Sequence, residues 1–156
     1  MLEISIPGGQ TLRLSQLLLD YNGTLAADGV LLPGVAERLQ TLAPHLKIHI
    51  VTADTFGSVR DQVAHLPVQL AVIPPEDQAQ AKAAFLDTLW PEDTVAIGNG
   101  RNDALMLKKA ALGIAVMQTE GAAASALLAA DVVTPGIIEA LDLLLHPDRL
   151  RATLRC

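Results

Sequence analysis

The sequence predicts a three-layer, doubly wound α/β fold around a parallel sheet, in a single domain spanning residues 1–156. Three observations carry that expectation. Short apolar runs and amphipathic stretches alternate at least five times along the chain, the pattern of parallel strands joined by right-handed crossover helices. Apolar residues make up 51% of the chain and aromatics 3%, so the core is built from Leu, Ile, Val and Ala, which suits helices on a parallel sheet better than a sandwich. Polar and glycine-rich clusters follow several of the apolar runs, at the edge where open α/β sheets bind ligands. A chain of 156 residues suits one core that needs no disulfide or metal to hold it.

Taken in order, residues 2–6 and 11–14 alternate apolar and polar around Pro7-Gly8-Gly9-Gln10, which predicts an N-terminal β-hairpin. Gln16-Leu17-Leu18-Leu19-Asp20 is a continuous apolar run ending on a charge, the mark of a central strand buried on both faces. Residues 22–32, with Gly23 and Gly29, predict a loop or small flap. Pro33 suits the start of a helix through about residue 43, where Val35, Leu39 and Leu42 share one face.

The alternation then continues. Strands are predicted at 47–51 and 68–73, with a helix at 55–65 between them. Residues 75–89 predict a helix with Glu76 and Asp77 at its start, where the dipole favours acids. A strand at 94–97 runs into Gly98-Asn99-Gly100. Helices at 102–111, 120–129 and 136–145 interleave with strands at 113–116 and 131–134, and residues 148–154 supply one or two further helical turns.

Three of these strands end in polar groups with no packing role. Asp20 is followed by Thr24, the strand Ile48-His49-Ile50-Val51 runs into Thr52-Ala53-Asp54, and the strand at 94–97 runs into Gly98-Asn99-Gly100-Arg101-Asn102-Asp103. In a doubly wound sheet the three loops converge, and their residue types suit phosphoryl transfer. A strand-end carboxylate can attack phosphorus and form an aspartyl-phosphate. The Thr52 hydroxyl can hold a phosphoryl oxygen, and Lys82 on the 75–89 helix can neutralise charge that develops in transfer. Carboxylates gathered near the nucleophile, with Asp103 as the second, bind Mg2+ through oxygen. Asp54 reads as the N-cap of the next helix, and His49, alternating with apolar residues, as a satisfied core or edge histidine.

In order, Asp20-Tyr21-Asn22-Gly23-Thr24-Leu25, Thr52, Lys82 and Gly98-Asn99-Gly100-Arg101-Asn102-Asp103 resemble the four motifs of the haloacid dehalogenase superfamily. The resemblance spans residues 16 to about 134. Within the superfamily the chain looks most like the soluble proteins related to the phosphorylation domain of P-type ATPases. The resemblance implies a Rossmann-like fold with a minimal cap and a Mg2+-dependent phosphohydrolase acting through phospho-Asp20. It implies that Asp20 is nucleophile and metal ligand, that Asn22 offers its backbone carbonyl to Mg2+, and that Lys82 holds nucleophile and phosphate. Thr52 would bind phosphate, with Ala53, Asn22, Gly23 and Asn102 beside it, and Asn99 and Asp103 would occupy the metal side.

Two residues depart from the superfamily pattern. Its phosphatases usually carry a general acid/base two residues after the nucleophile, and here that position is Asn22, which cannot exchange a proton. Such help is typically worth roughly 10²–10⁴-fold. Asn99 stands where the motif normally has a metal-binding aspartate, and an amide oxygen brings no charge. The P-type pumps also lack the acid and keep a long-lived phospho-aspartate. A slow enzyme is therefore expected, with a catalytically weakened phospho-ligand binding or regulatory module of the same fold as the alternative. A third reading, a structural subunit of a larger assembly, rests on the Ala/Leu-rich C-terminal helices.

Charge and composition bound the partners. A net charge of −6 disfavours nucleic acid and anionic lipid. The lone cysteine, Cys156, forms no internal disulfide or metal cluster. No leader and no apolar run long enough to span a bilayer is recognised, so a cytoplasmic protein is expected. The expected partner is a small phosphorylated substrate. With so little sequence between the motifs the site is open, and a homo-oligomer is expected to close it.

Overall fold

The computed structural model describes residues 1–54 and 57–156. The chain opens on an antiparallel hairpin of β1 (Leu2–Ser5) and β2 (Thr11–Leu14), whose Ile4, Leu12 and Leu14 are buried in the main core. Next come β3 (Gln16–Asp20), a two-stranded flap of β4 (Ala26–Ala27) and β5 (Val30–Leu31), and helix α1 (Val35–Leu42), which buries Val35, Leu39 and Leu42. The flap reverses at Asp28 and Gly29, both at positive φ, as a two-residue hairpin turn requires.

The second part comprises β6 (Lys47–Thr52), α2 (Ser58–Val63), β7 (Gln69–Val72), α3 (Gln78–Asp87) and β8 (Thr94–Gly98). It is followed by α4 (Ala104–Lys109), β9 (Leu112–Val116), α5 (Ala124–Ala129), β10 (Val132–Thr134), α6 (Ile137–Leu145) and α7 (Pro147–Leu154). Six parallel strands lie in the order β10-β9-β8-β3-β6-β7. From β3 the chain builds outward through β6 and β7, then returns to the other side of β3 and builds outward through β8, β9 and β10. The reversal falls between β3 and β8, and the site lies there, at the carboxyl ends of the strands.

The central strand shows why the sequence takes this form. Leu17, Leu18 and Leu19 are fully buried; Leu17 and Leu19 pack into one apolar cluster with α1 and α6, and Leu18 into another with α3 and α4. Both faces are covered, so the run is continuously apolar rather than alternating. Among the described residues no helix is long and apolar enough to cross a membrane.

Several helices are shorter than the sequence predicts. The helix expected at 75–89 begins at Gln78, because Pro74 and Pro75 precede it and Asp77 takes a positive φ of 50°. The helix expected at 102–111 starts with a 3-10 turn, Arg101–Asp103, before α4. The helix expected from 120 begins at Ala124, after Gly121 at φ 76°. Of the helix expected at 55–65, residues 55 and 56 lie outside the described residues, and within the rest Ser58–Val63 forms α2.

Candidate active site

The buried polar residues at the carboxyl ends of β3 and β8 form one connected network. Lys82 reaches from α3 into the protein, and its ammonium lies 2.7 Å from Asp20 Oδ1 and 2.7 Å from Asp103 Oδ1. Helix α3 approaches closely because it is rich in alanine around that lysine. Lys82 is 1% exposed, Asp20 6% and Asp103 0%, so one cation serves two carboxylates with almost no help from water.

Asp103 is held from its other side as well. Its Oδ2 accepts backbone N–H bonds from Asn99 at 3.0 Å and Gly100 at 2.9 Å, closing the turn after β8. The turn depends on Gly98, where a Cβ would come 2.5 Å from Asp103 Cγ.

Asp20 Oδ2 accepts the Thr24 hydroxyl at 3.1 Å, and the same hydroxyl lies 3.3 Å from Asn99 Oδ1. Asn99 Nδ2 donates to the Gly121 carbonyl at 3.0 Å, which turns its oxygen toward Asp20 and Thr24. Thr52 Oγ1 accepts the Asp54 N–H at 3.2 Å, so the threonine keeps its own proton for a ligand. Asp54 Oδ2 in turn accepts Val59 N at 2.8 Å and Ser58 Oγ at 3.1 Å, fixing the start of α2 as its reading as an N-cap anticipates.

Burial dominates the electrostatics. It pushes the Asp20 carboxyl up from 3.8, aided by the Asp103 charge and opposed by Lys82 and Thr24, to about 7. Burial also works to lower the Lys82 ammonium, but Asp20 and Asp103 outweigh it and hold it above its ordinary value.

A cleft of about 470 Å³ opens over this network. Of the residues singled out from sequence, Asp20, Asn22, Thr52, Ala53, Lys82, Asn99 and Asn102 line it. Gly23 and Asp103 lie outside its lining: Gly23 sits behind Asn99, and both Asp103 oxygens are engaged inward. Gly100 lines the cleft too, and Asp54, Ser58, Val59 and Gln78 do so without having been assigned to it. Gln78 lies one helical turn before Lys82 and accepts Asn102 Nδ2 at 2.8 Å; the four-residue spacing is the signal that could have found it.

A second group braces the loop that follows Asp20 and carried no sequence signal. Gln118 donates to the carbonyls of Gly23 at 3.0 Å and Thr24 at 2.6 Å, and its Oε1 accepts Ile137 N at 3.1 Å. Glu120 accepts the Asp28 N–H of the flap at 3.0 Å. Away from the site, His49 is buried, bonded to Gln16 at 2.9 Å and edge-on to Phe85.

The donors suited to a cation are all oxygen, which fits Mg2+. Asp20 is the one carboxylate among the metal-side candidates that line the cleft, with Asn22 and Asn99 as neutral neighbours. No cluster of three or more His, Cys, Asp or Glu that could hold a metal is present among the described residues.

Comparison with known proteins points the same way. A sequence model of haloacid dehalogenase-like hydrolases matches residues 82–137. An uncharacterised protein of Methanocaldococcus jannaschii is 48% identical over 79 residues, covering 48% of this chain and 85% of that protein. Among solved structures, a Legionella pneumophila protein placed in subfamily III A of the haloacid dehalogenase superfamily superposes with a TM-score of 0.73 at 19% identity, over 92% of this chain and 88% of that one. The 3-deoxy-D-manno-octulosonate 8-phosphate phosphatase of Moraxella catarrhalis, solved with magnesium, phosphate and its sugar, superposes with a TM-score of 0.71 at 17% identity, over 91% of this chain and 94% of that one.

Proposed function

We propose that the chain, similar to haloacid dehalogenase-like hydrolases over residues 82–137 and in fold to solved members of that superfamily, is a Mg2+-dependent phosphohydrolase acting through an aspartyl-phosphate on Asp20. The observation that carries this reading is the Asp20–Lys82–Asp103 network at the floor of a cleft lined by Thr52 and Asn102. An Asp20 oxygen attacks phosphorus, and the bond from phosphorus to the leaving oxygen breaks. Lys82 neutralises charge on the phosphoryl group, and Thr52 donates its hydroxyl to a phosphoryl oxygen. Asp103 acts from behind by fixing Lys82 and the turn after β8.

Asp20, the Asn22 carbonyl and Asn99 would hold Mg2+, which would supply positive charge to the phosphoryl oxygens. Asn22 gives the leaving oxygen no proton, so substrates with good leaving groups are favoured. The amide and hydroxyl lining of Asn22, Ser58, Gln78 and Asn102 suits a small, hydroxyl-bearing phosphate.

The test is steady-state hydrolysis of an aryl phosphate with Mg2+, comparing wild type with Asp20→Asn. Loss of turnover in the variant is expected; equal rates would sink the nucleophile assignment.

A second reading, a phospho-ligand binding or regulatory module, is favoured by the neutral Asn22 and Asn99 facing the cleft. Tight phosphate-ester binding by calorimetry, with no turnover across a broad panel, would select it. We also propose a homo-oligomer that closes the cleft, supported by Val30 of the flap, 61% exposed. Light scattering showing a monomer would remove that proposal. An acidic chain whose one cysteine is free suits the cytoplasm.

A further inference from the structure

We propose that Asp54 is the general base that hydrolyses phospho-Asp20, the role that Asn22 cannot fill; this rests on the aspartyl-phosphate reading above. Among the described residues lining the cleft, Asp20 and Asp54 are the two carboxylates. Asp20 is consumed as the nucleophile, which leaves Asp54 as the acid/base group on that surface.

Its position follows from the sheet. Strand β6 pairs in parallel with β3, with Val51 directly opposite Asp20. The segment Thr52-Ala53-Asp54 therefore leaves the sheet beside the segment carrying Asp20 and Asn22, and both face the same cleft. The Asp54 side chain is anchored at the start of α2 rather than loose, since Oδ2 accepts Val59 N at 2.8 Å and Ser58 Oγ at 3.1 Å. Its own N–H fixes Thr52 Oγ1 at 3.2 Å, so the residue that would hold the phosphoryl group and the residue that would activate water are set by one turn. Aspartate is ordinarily ionised at neutral pH, the state a base requires.

The step balances without a further reactant. The oxygen of a water molecule bonds to phosphorus as its proton passes to Asp54. The bond from phosphorus to the Asp20 oxygen breaks, and its electron pair restores the Asp20 carboxylate. Inorganic phosphate leaves, and Asp54 returns the proton to solvent. The first half-reaction, transfer to Asp20, does not use Asp54.

That division gives a signature a structural role would not share. In rapid-quench reactions with an aryl phosphate and Mg2+, Asp54→Asn should release about one equivalent of phenol per chain at the wild-type rate. Steady-state turnover should then fall by roughly 10²-fold or more, with hydroxylamine-labile phosphate accumulating on the chain. Added formate, a small diffusible base, should speed loss of that phosphate. Wild-type turnover in Asp54→Asn, or slow turnover with no trapped phosphate, overturns the proposal. Wild type that turns over while Asp54→Asn matches it sinks this proposal alone, whereas wild type that neither turns over nor becomes phosphorylated sinks the hydrolase reading with it. If Asp54→Asn does not fold, the wild-type dephosphorylation rate decides. It should fall with pH through the carboxylate range, and a flat profile from about pH 7 to 4 overturns the assignment.

Discussion

Asp20→Asn should make the metal-free protein more stable at alkaline pH while removing its proposed chemistry. In the folded protein the Asp20 carboxyl is raised from 3.8 to about 7, first by burial and then by the Asp103 charge. The folded state thus holds this proton more tightly than the unfolded chain. Its contribution to stability is fully present below pH 3.8 and is lost as pH rises through about 7. At 1.36 kcal/mol for each pH unit, the loss by pH 8 is about 4 kcal/mol. Asparagine escapes it. Its oxygen can accept from Lys82, and its amide can donate to Thr24 Oγ1, which then turns its proton to Asn99 Oδ1 at 3.3 Å. Lys82 gives up one of its two charged partners, so about 4 kcal/mol is a ceiling and a gain of about 1–3 kcal/mol is expected. Urea unfolding with EDTA, at pH 8 and pH 5, checks this. The variant should be the more stable at pH 8, the gap should close at pH 5, and Mg2+ should restore stability only to wild type. An Asp20→Asn protein no more stable than wild type at pH 8, or a gap equal at both pH values, would refute the reasoning.

Lys82→Met should act oppositely, because it leaves Asp20 and Asp103 buried without a cation; a loss of about 3–5 kcal/mol at pH 8, shrinking as pH falls, is expected in the same urea experiment. Asn99→Asp should tighten Mg2+ in a calorimetric titration while costing the metal-free protein about 1–3 kcal/mol, since an oxygen would replace the amide that donates to Gly121. Combined with Asn22→Asp it should raise ester hydrolysis, by up to roughly 10²–10⁴-fold from the restored acid. Gln118→Ala should lower kcat more than it raises KM and speed hydrogen exchange in the flap, since it frees the Gly23 and Thr24 carbonyls without touching the cleft.

The sheet and most of its helices were legible because burial on both faces writes continuous apolar runs into strands such as Leu17-Leu18-Leu19, and one-sided burial writes helical spacing into Val35, Leu39 and Leu42. Helix starts were less legible. Asp77 at φ 50° and Gly121 at φ 76° halt helices locally, and nothing in the residue types demanded those angles. In the cleft, residues standing directly on strand ends were found because the strand places them there. Gln118 was invisible, since it reaches the Gly23 carbonyl across 95 residues and a glutamine after a strand has no distinguishing pattern.

Asp103 shows where motif reading stops and geometry begins. The motif resemblance puts Asn99 and Asp103 on one turn and makes both metal candidates. The missing Cβ at Gly98 lets the Asp103 carboxylate fold back beneath the turn, where Lys82 and two backbone N–H groups take both its oxygens. A carboxylate so engaged would have to give up buried hydrogen bonds, each to a charged or backbone donor, before ligating a metal directly. Among the metal-side candidates the cleft is left with Asp20 as its one carboxylate, and Asn22 and Asn99 add no charge beside it. On the proposed chemistry the two asparagines therefore act in the same direction. Weak metal binding and an unassisted leaving group would both slow the first half-reaction, and a group outside the usual motif, as proposed for Asp54, would have to drive the second.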